Sequence, residues 1–118
     1  TFGHALEGLY AQNQTTLKHG EAVAAGMIME LFLSHKKSKF NLDAMFSIIS
    51  QISEHFDWIE IKPGEKEKII EYMKFDKKNR GSKISCVLLK NIGEPIPENI
   101  ITDIDIKDAL NFYTQLSK

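Results

Sequence analysis

Apolar residues recur at helical spacing through most of this chain, and the breaks between runs are polar or carry glycine and proline. Phe2, Ala5, Leu6, Leu9 and Tyr10 share one face of a helix expected from about Phe2 to Ala11. Gln12-Asn13-Gln14-Thr15-Thr16 has no apolar period and predicts a connecting loop. The strongest helix signal runs from Gly20 to about His35, where Glu30 is the one charged residue between Ala22 and Leu33. A helix apolar nearly all round is buried among neighbours. Its small residues Ala22, Ala24, Ala25 and Gly26 would let a second backbone come close.

Asn41 is an expected N-cap, because its side-chain oxygen can accept from a free first-turn amide. The helix it starts would reach about His55 and bury Leu42, Met45, Phe46, Ile49 and Ile52. Pro63-Gly64 breaks the chain, and a helical pattern resumes from Glu65 to Phe75. Asn79-Arg80-Gly81-Ser82 predicts a turn, Ile84 to Leu89 a strand, and Gly93, Pro95 and Pro97 a loop, with Ile100-Ile101 as a short pairing strand. Asp105 is the expected N-cap of a last helix, with Asp108 in its first turn and Leu110, Phe112, Tyr113 and Leu116 along it. The pattern predicts a mainly α fold with a minor two-stranded β-element.

Composition narrows this. The 118 residues suit one domain, modest in core and short for an enzyme that holds a large cofactor by itself. A formal net charge of −1 argues against nucleic acid or an anionic membrane as partner. Lys36-Lys37-Ser38-Lys39 is expected to be a solvated helix end, favoured by the helix dipole. The single cysteine, Cys86, can form no intrachain disulfide, which fits a reducing, cytoplasmic compartment. No signal peptide and no apolar run of membrane-spanning length is present. Thr1-Phe2-Gly3-His4 already has the pattern of an element's interior, so the chain is expected to be a fragment or a processed product.

Two histidines carry the candidate chemistry. His19 opens the buried helix and is followed by glycine, which suits a zinc ligand held against a rigid element. By spacing alone a capping or surface histidine is the commoner alternative. Glu21 reads more simply as a first-turn carboxylate favoured by the dipole than as a further ligand. His4 stands about one helical turn before Glu7 and Gly8, and the absent side chain at Gly8 would leave space there. It suits a general acid/base or a substrate donor as well as a histidine satisfied by a backbone carbonyl. His35 and His55, near helix ends, read as structural. Lys77 and Lys78 could reach a phosphate or carboxylate, though a helix C-terminus also attracts lysines.

Four segments in register resemble the C-terminal domain of the 3-dehydroquinate synthases, within the sugar-phosphate cyclase superfamily. They are Thr1-Phe2-Gly3-His4-Ala5-Leu6-Glu7, Leu17-Lys18-His19-Gly20-Glu21-Ala22-Val23-Ala24-Ala25-Gly26-Met27, Asp76-Lys77-Lys78-Asn79, and Val87-Leu88-Leu89 followed by Ile92-Gly93. The resemblance implies a helical metal- and substrate-binding domain over residues 1–118. It also implies a reaction using NAD+ and a divalent metal, zinc or cobalt, in which 3-deoxy-D-arabino-heptulosonate 7-phosphate becomes 3-dehydroquinate and phosphate. By the same resemblance His19 is a metal ligand, His4 a catalytic histidine on the substrate, and Lys77 or Lys78 a substrate-binding lysine. A second metal-binding histidine would precede Thr1, and a glutamate ligand and the NAD-binding segments would belong to an N-terminal domain. The chain alone is therefore expected to hold no stoichiometric metal, to bind no NAD+ of its own and to be inactive, within a parent that is a homodimer.

Rival expectations are another sugar-phosphate cyclase, a metal-dependent polyol dehydrogenase, and a non-catalytic helical interaction domain in which both histidines are structural. The Asp76-Lys77-Lys78-Asn79 segment favours the synthase over the dehydrogenases.

Overall fold

In a computed structural model, residues 2–12, 18–80 and 84–117 are described, side chains at 12 and 76–80 excepted. In order these are α1 (Phe2–Gln12), α2 (His19–Ser38), α3 (Leu42–His55), α4 (Glu65–Arg80), β1 (Ser85–Asn91), β2 (Glu94–Ile100) and α5 (Asp103–Leu116). The fold is mainly α with a small antiparallel hairpin, as the apolar pattern predicts. Of the predicted loop after α1 and the turn before β1, residues 13–16, 81 and 82 lie outside the described residues.

Helix α2 is the hub: it packs against α1, α3, α5 and β1. Ala22, Ala25, Ile28, Met29, Leu31 and Leu33 are all buried along it. It stops where Lys39 takes a left-handed φ of 59° and the Phe40 N–H reaches back to the Ser34 carbonyl at 3.2 Å. That reversal carries Phe40 into the core, and its carbonyl accepts the His35 Nδ1–H at 2.7 Å. His35 is thus structural, as expected. The lysines at this end are not merely solvated. Lys36 bonds Asp105 at 3.1 Å and Asp108 at 2.8 Å, and Lys37 bonds Asp105 at 3.0 Å, tying α2 to the start of α5.

Helix α3 begins as predicted, with the Asn41 side chain accepting the Ala44 N–H at 2.8 Å. It leans on α2 with a narrow face, burying Met45 and Ile49 but leaving Leu42 and Phe46 exposed, contrary to expectation. Helix α4 overruns its predicted end at Phe75 and reaches Arg80. Asp76 to Arg80 contains no helix breaker, so Asp76-Lys77-Lys78-Asn79 continues the helix instead of following it.

The predicted loop at Pro95 and Pro97 is strand β2, joined to β1 through Ile92-Gly93 with Gly93 at φ +80°. Proline lacks the N–H of a ladder, but β2 has a neighbour on one side and a free edge on the other. Cys86 and Leu88 of β1 face the core, and the Leu89 N–H donates to the Ser34 hydroxyl of α2 at 2.9 Å. At α5 the N-cap is Thr102, not Asp105. Thr102 Oγ1 accepts the Asp105 N–H, and the Asp105 carboxylate accepts the Thr102 N–H at 3.0 Å, a reciprocal capping box.

Candidate functional site

Where α1 crosses α2 the two backbones nearly touch. A Cβ on Gly3 would lie 3.0 Å from the Ala22 carbonyl oxygen, and one on Gly26 would lie 3.1 Å from the Gly3 nitrogen. These two glycines set the floor of a groove of about 270 Å³ lined by Gly3, His4, Glu7, His19, Val23, Gly26, Met27 and Glu30. Helical periodicity explains the lining: Gly3, His4 and Glu7 lie on one face of α1, and His19, Val23, Gly26, Met27 and Glu30 on one face of α2. The small residues of α2 thus do admit another backbone, and α2 is open to solvent along this side of its first half. Val23 and Met27 are 41% and 45% exposed there.

The structure brings His4 and His19 to the same groove. His19 is exposed at the N-terminal end of α2, and its Nδ1 lies 2.7 Å from Glu7 Oε1 of α1. Since a carboxylate only accepts, Nδ1 carries the proton of this contact, and a neutral ring so held has its lone pair on Nε2. His4 is exposed, with its ring 6.3 Å from that of Tyr72. The space expected beside Gly8 is filled, because a Cβ there would overlap the Tyr72 ring. Glu21 makes no appearance in the groove lining.

Two groove carboxylates were not among the sequence candidates for chemistry. Glu7 had a signal in its position one turn after His4, but its partner His19 is 12 residues away on another helix. Glu30 was visible as the lone charge in an apolar run. Burial holds its carboxyl above the usual carboxylate range.

Lys77 and Lys78 lie in the last turns of α4, with side chains outside the described residues. The course of α4 is informative all the same. Tyr10 near the end of α1 bonds the Glu60 carbonyl just before α4, whereas Tyr72 covers Gly8 and approaches His4. Helix α4 therefore runs back along α1 toward the His4 end, and Lys77 and Lys78 follow Tyr72 by roughly one and a half turns.

As a donor set for a metal, the groove offers the free Nε2 of His19. Among the described residues no group of three or more histidine, cysteine or acidic side chains converges to hold an ion. The donor chemistry fits one ligand of a metal and leaves the others to come from elsewhere.

Fold and groove define a helical domain with an open groove that holds an imidazole–carboxylate pair and a second imidazole. The sequence model for the C-terminal domain of 3-dehydroquinate synthase matches residues 1–79, and the chain belongs to that family. A 3-dehydroquinate synthase of Parabacteroides distasonis is 35% identical over 115 residues, covering 98% of this chain and 33% of the relative. One of Dictyoglomus turgidum is 33% identical over 98% of this chain and 31% of its own length. One of Thermoanaerobacter pseudethanolicus is 37% identical over 80% of this chain and 26% of its own length. The chain thus spans about a quarter to a third of the length of these curated relatives. No solved structure gives a significant match. Among the described residues no helix is long and apolar enough to cross a membrane.

Proposed function

We propose that this chain supplies the helical, metal- and substrate-facing part of a 3-dehydroquinate synthase. That enzyme converts 3-deoxy-D-arabino-heptulosonate 7-phosphate to 3-dehydroquinate and phosphate in the shikimate pathway. The observation that carries the proposal is the meeting of His4, Glu7 and His19 across a glycine-floored helix crossing, within the residues that match the family. His19 holds a divalent metal, zinc or cobalt, through Nε2, and the metal when bound polarises substrate oxygens. His4, exposed on the α1 face of the groove, contacts the substrate and moves a proton at its ring nitrogen. Lys77 or Lys78, carried toward that end by α4, pairs with an anionic group of the substrate as a point charge. NAD+ is bound by a part of the enzyme beyond these residues, and the whole enzyme is a cytoplasmic homodimer.

The test is phosphate release from the seven-carbon substrate by the full-length gene product, with NAD+ and zinc or cobalt present. We expect release in the unaltered protein. His19→Ala should lose more than the roughly 10–100-fold typical of removing a group behind a metal ligand. Retained activity in that variant removes the metal assignment, and no release in the unaltered protein removes the function.

A further inference from the structure

We infer that Glu7 is the positioning residue for His19: its carboxylate holds the imidazole in the orientation and tautomer that present Nε2 to the metal. The inference rests on the metal-ligand reading of His19. Three observations support it. The 2.7 Å contact joins a donor that must carry a proton to an acceptor that has none, so it selects one tautomer. The His19 side chain is 78% exposed, so packing does little to hold the ring and the hydrogen bond is its restraint. Finally, the two partners stand on different helices whose separation is set by the backbone contacts at Gly3 and Gly26, so the pair is positioned by the rigid crossing.

Both side chains are well exposed, 78% and 40%, so the pair contributes little to folding and its loss leaves the domain intact. This separates positioning from stability. In the full-length gene product, zinc affinity is measured by competition with a chromophoric chelator, together with the visible spectrum of the cobalt-loaded protein and the thermal midpoint. We expect Glu7→Ala to weaken zinc binding by roughly 10–100-fold, with an unchanged midpoint of the metal-free protein and an unchanged cobalt band pattern. Glu7→Gln, whose amide oxygen still accepts from Nδ1–H, should recover most of that loss. His19→Ala should abolish tight binding.

Each other outcome has a definite meaning. Full zinc affinity in Glu7→Ala, with binding lost in His19→Ala, overturns the positioning role and leaves the ligand reading standing. Full affinity in His19→Ala overturns both. Glu7→Gln as weak as Glu7→Ala overturns the role as well, and a shifted cobalt spectrum in that variant would make Glu7 a direct ligand.

Discussion

Tyr113 of α5 is 1% exposed, and its hydroxyl oxygen accepts the Ile59 N–H at 2.8 Å. The Trp58 ring lies 5.1 Å away, so one side chain fastens the irregular segment between α3 and α4 to the core. Burial pushes the Tyr113 phenol above its ordinary pKa. Tyr113→Phe keeps the packing but leaves the buried Ile59 amide without an acceptor. The expected cost is about 1–3 kcal/mol, read as a lower urea midpoint with an unchanged slope. At this scale the sequence is legible where a residue acts on its own neighbourhood. Asn41 caps α3 through an amide three residues on, and that is visible from the cap alone. Thr102 and Asp105 are both good cap residues, and the Thr-x-x-Asp spacing of a capping box is the signal that singles out Thr102. Glu7 and Ser34 were illegible, because their partners His19 and Leu89 are 12 and 55 residues distant.

The α1–α2 crossing is the element on which the candidate site depends. Glycine inside a helix costs roughly 1 kcal/mol relative to alanine, so Gly3 and Gly26 carry a penalty that close approach offsets. A side chain at Gly26 would meet the Gly3 backbone nitrogen, which cannot swing aside as a flexible side chain can. Gly26→Val should therefore force the helices apart and destabilise the domain by about 1–3 kcal/mol. Because α1 carries His4 and Glu7 while α2 carries His19, the same change should separate the histidine–carboxylate pair. Nitrogen chemical shifts of the His19 ring would show it as loss of the preference for the Nδ1–H tautomer; unchanged shifts and stability would disprove the crossing argument. Periodicity made these helices readable, since the small-residue run of α2 announces a close neighbour. It could not read the strand through Pro95 and Pro97, because local proline chemistry forbids a central strand but tolerates the free edge. Nor could it stop α4, which lacks any breaker before Gly81.

Across the whole molecule, α2 is a spine of 20 residues, about 30 Å long, with the groove at its start and an ion-pair network at its end. The far end should respond to acid. Burial by itself would raise the Asp105 pKa, but the Thr102 amide and the ammonium groups of Lys37 and Lys36 outweigh it and hold the carboxyl at about 2, against an ordinary 3.8. A carboxyl depressed on folding contributes its full stability above the unfolded value and loses it as pH falls through the folded one. The window is therefore from about 4 down to 2, and the gap corresponds to on the order of 2 kcal/mol. Asp105→Asn keeps an oxygen for the Thr102 amide but cannot pair with the lysines, so it isolates the charge. At pH 7 the unaltered chain should be more stable than Asp105→Asn by that amount in urea unfolding. The difference should shrink steadily below pH 4 and nearly vanish at pH 2, where the native carboxyl is itself becoming neutral. A difference that stays constant from pH 7 to pH 2 would mean that Lys36 and Lys37 do not hold α5 through the Asp105 charge. In that case the far end of the spine is secured by its apolar contacts, with Ile106, Leu110 and Tyr113 as the buried residues that carry them.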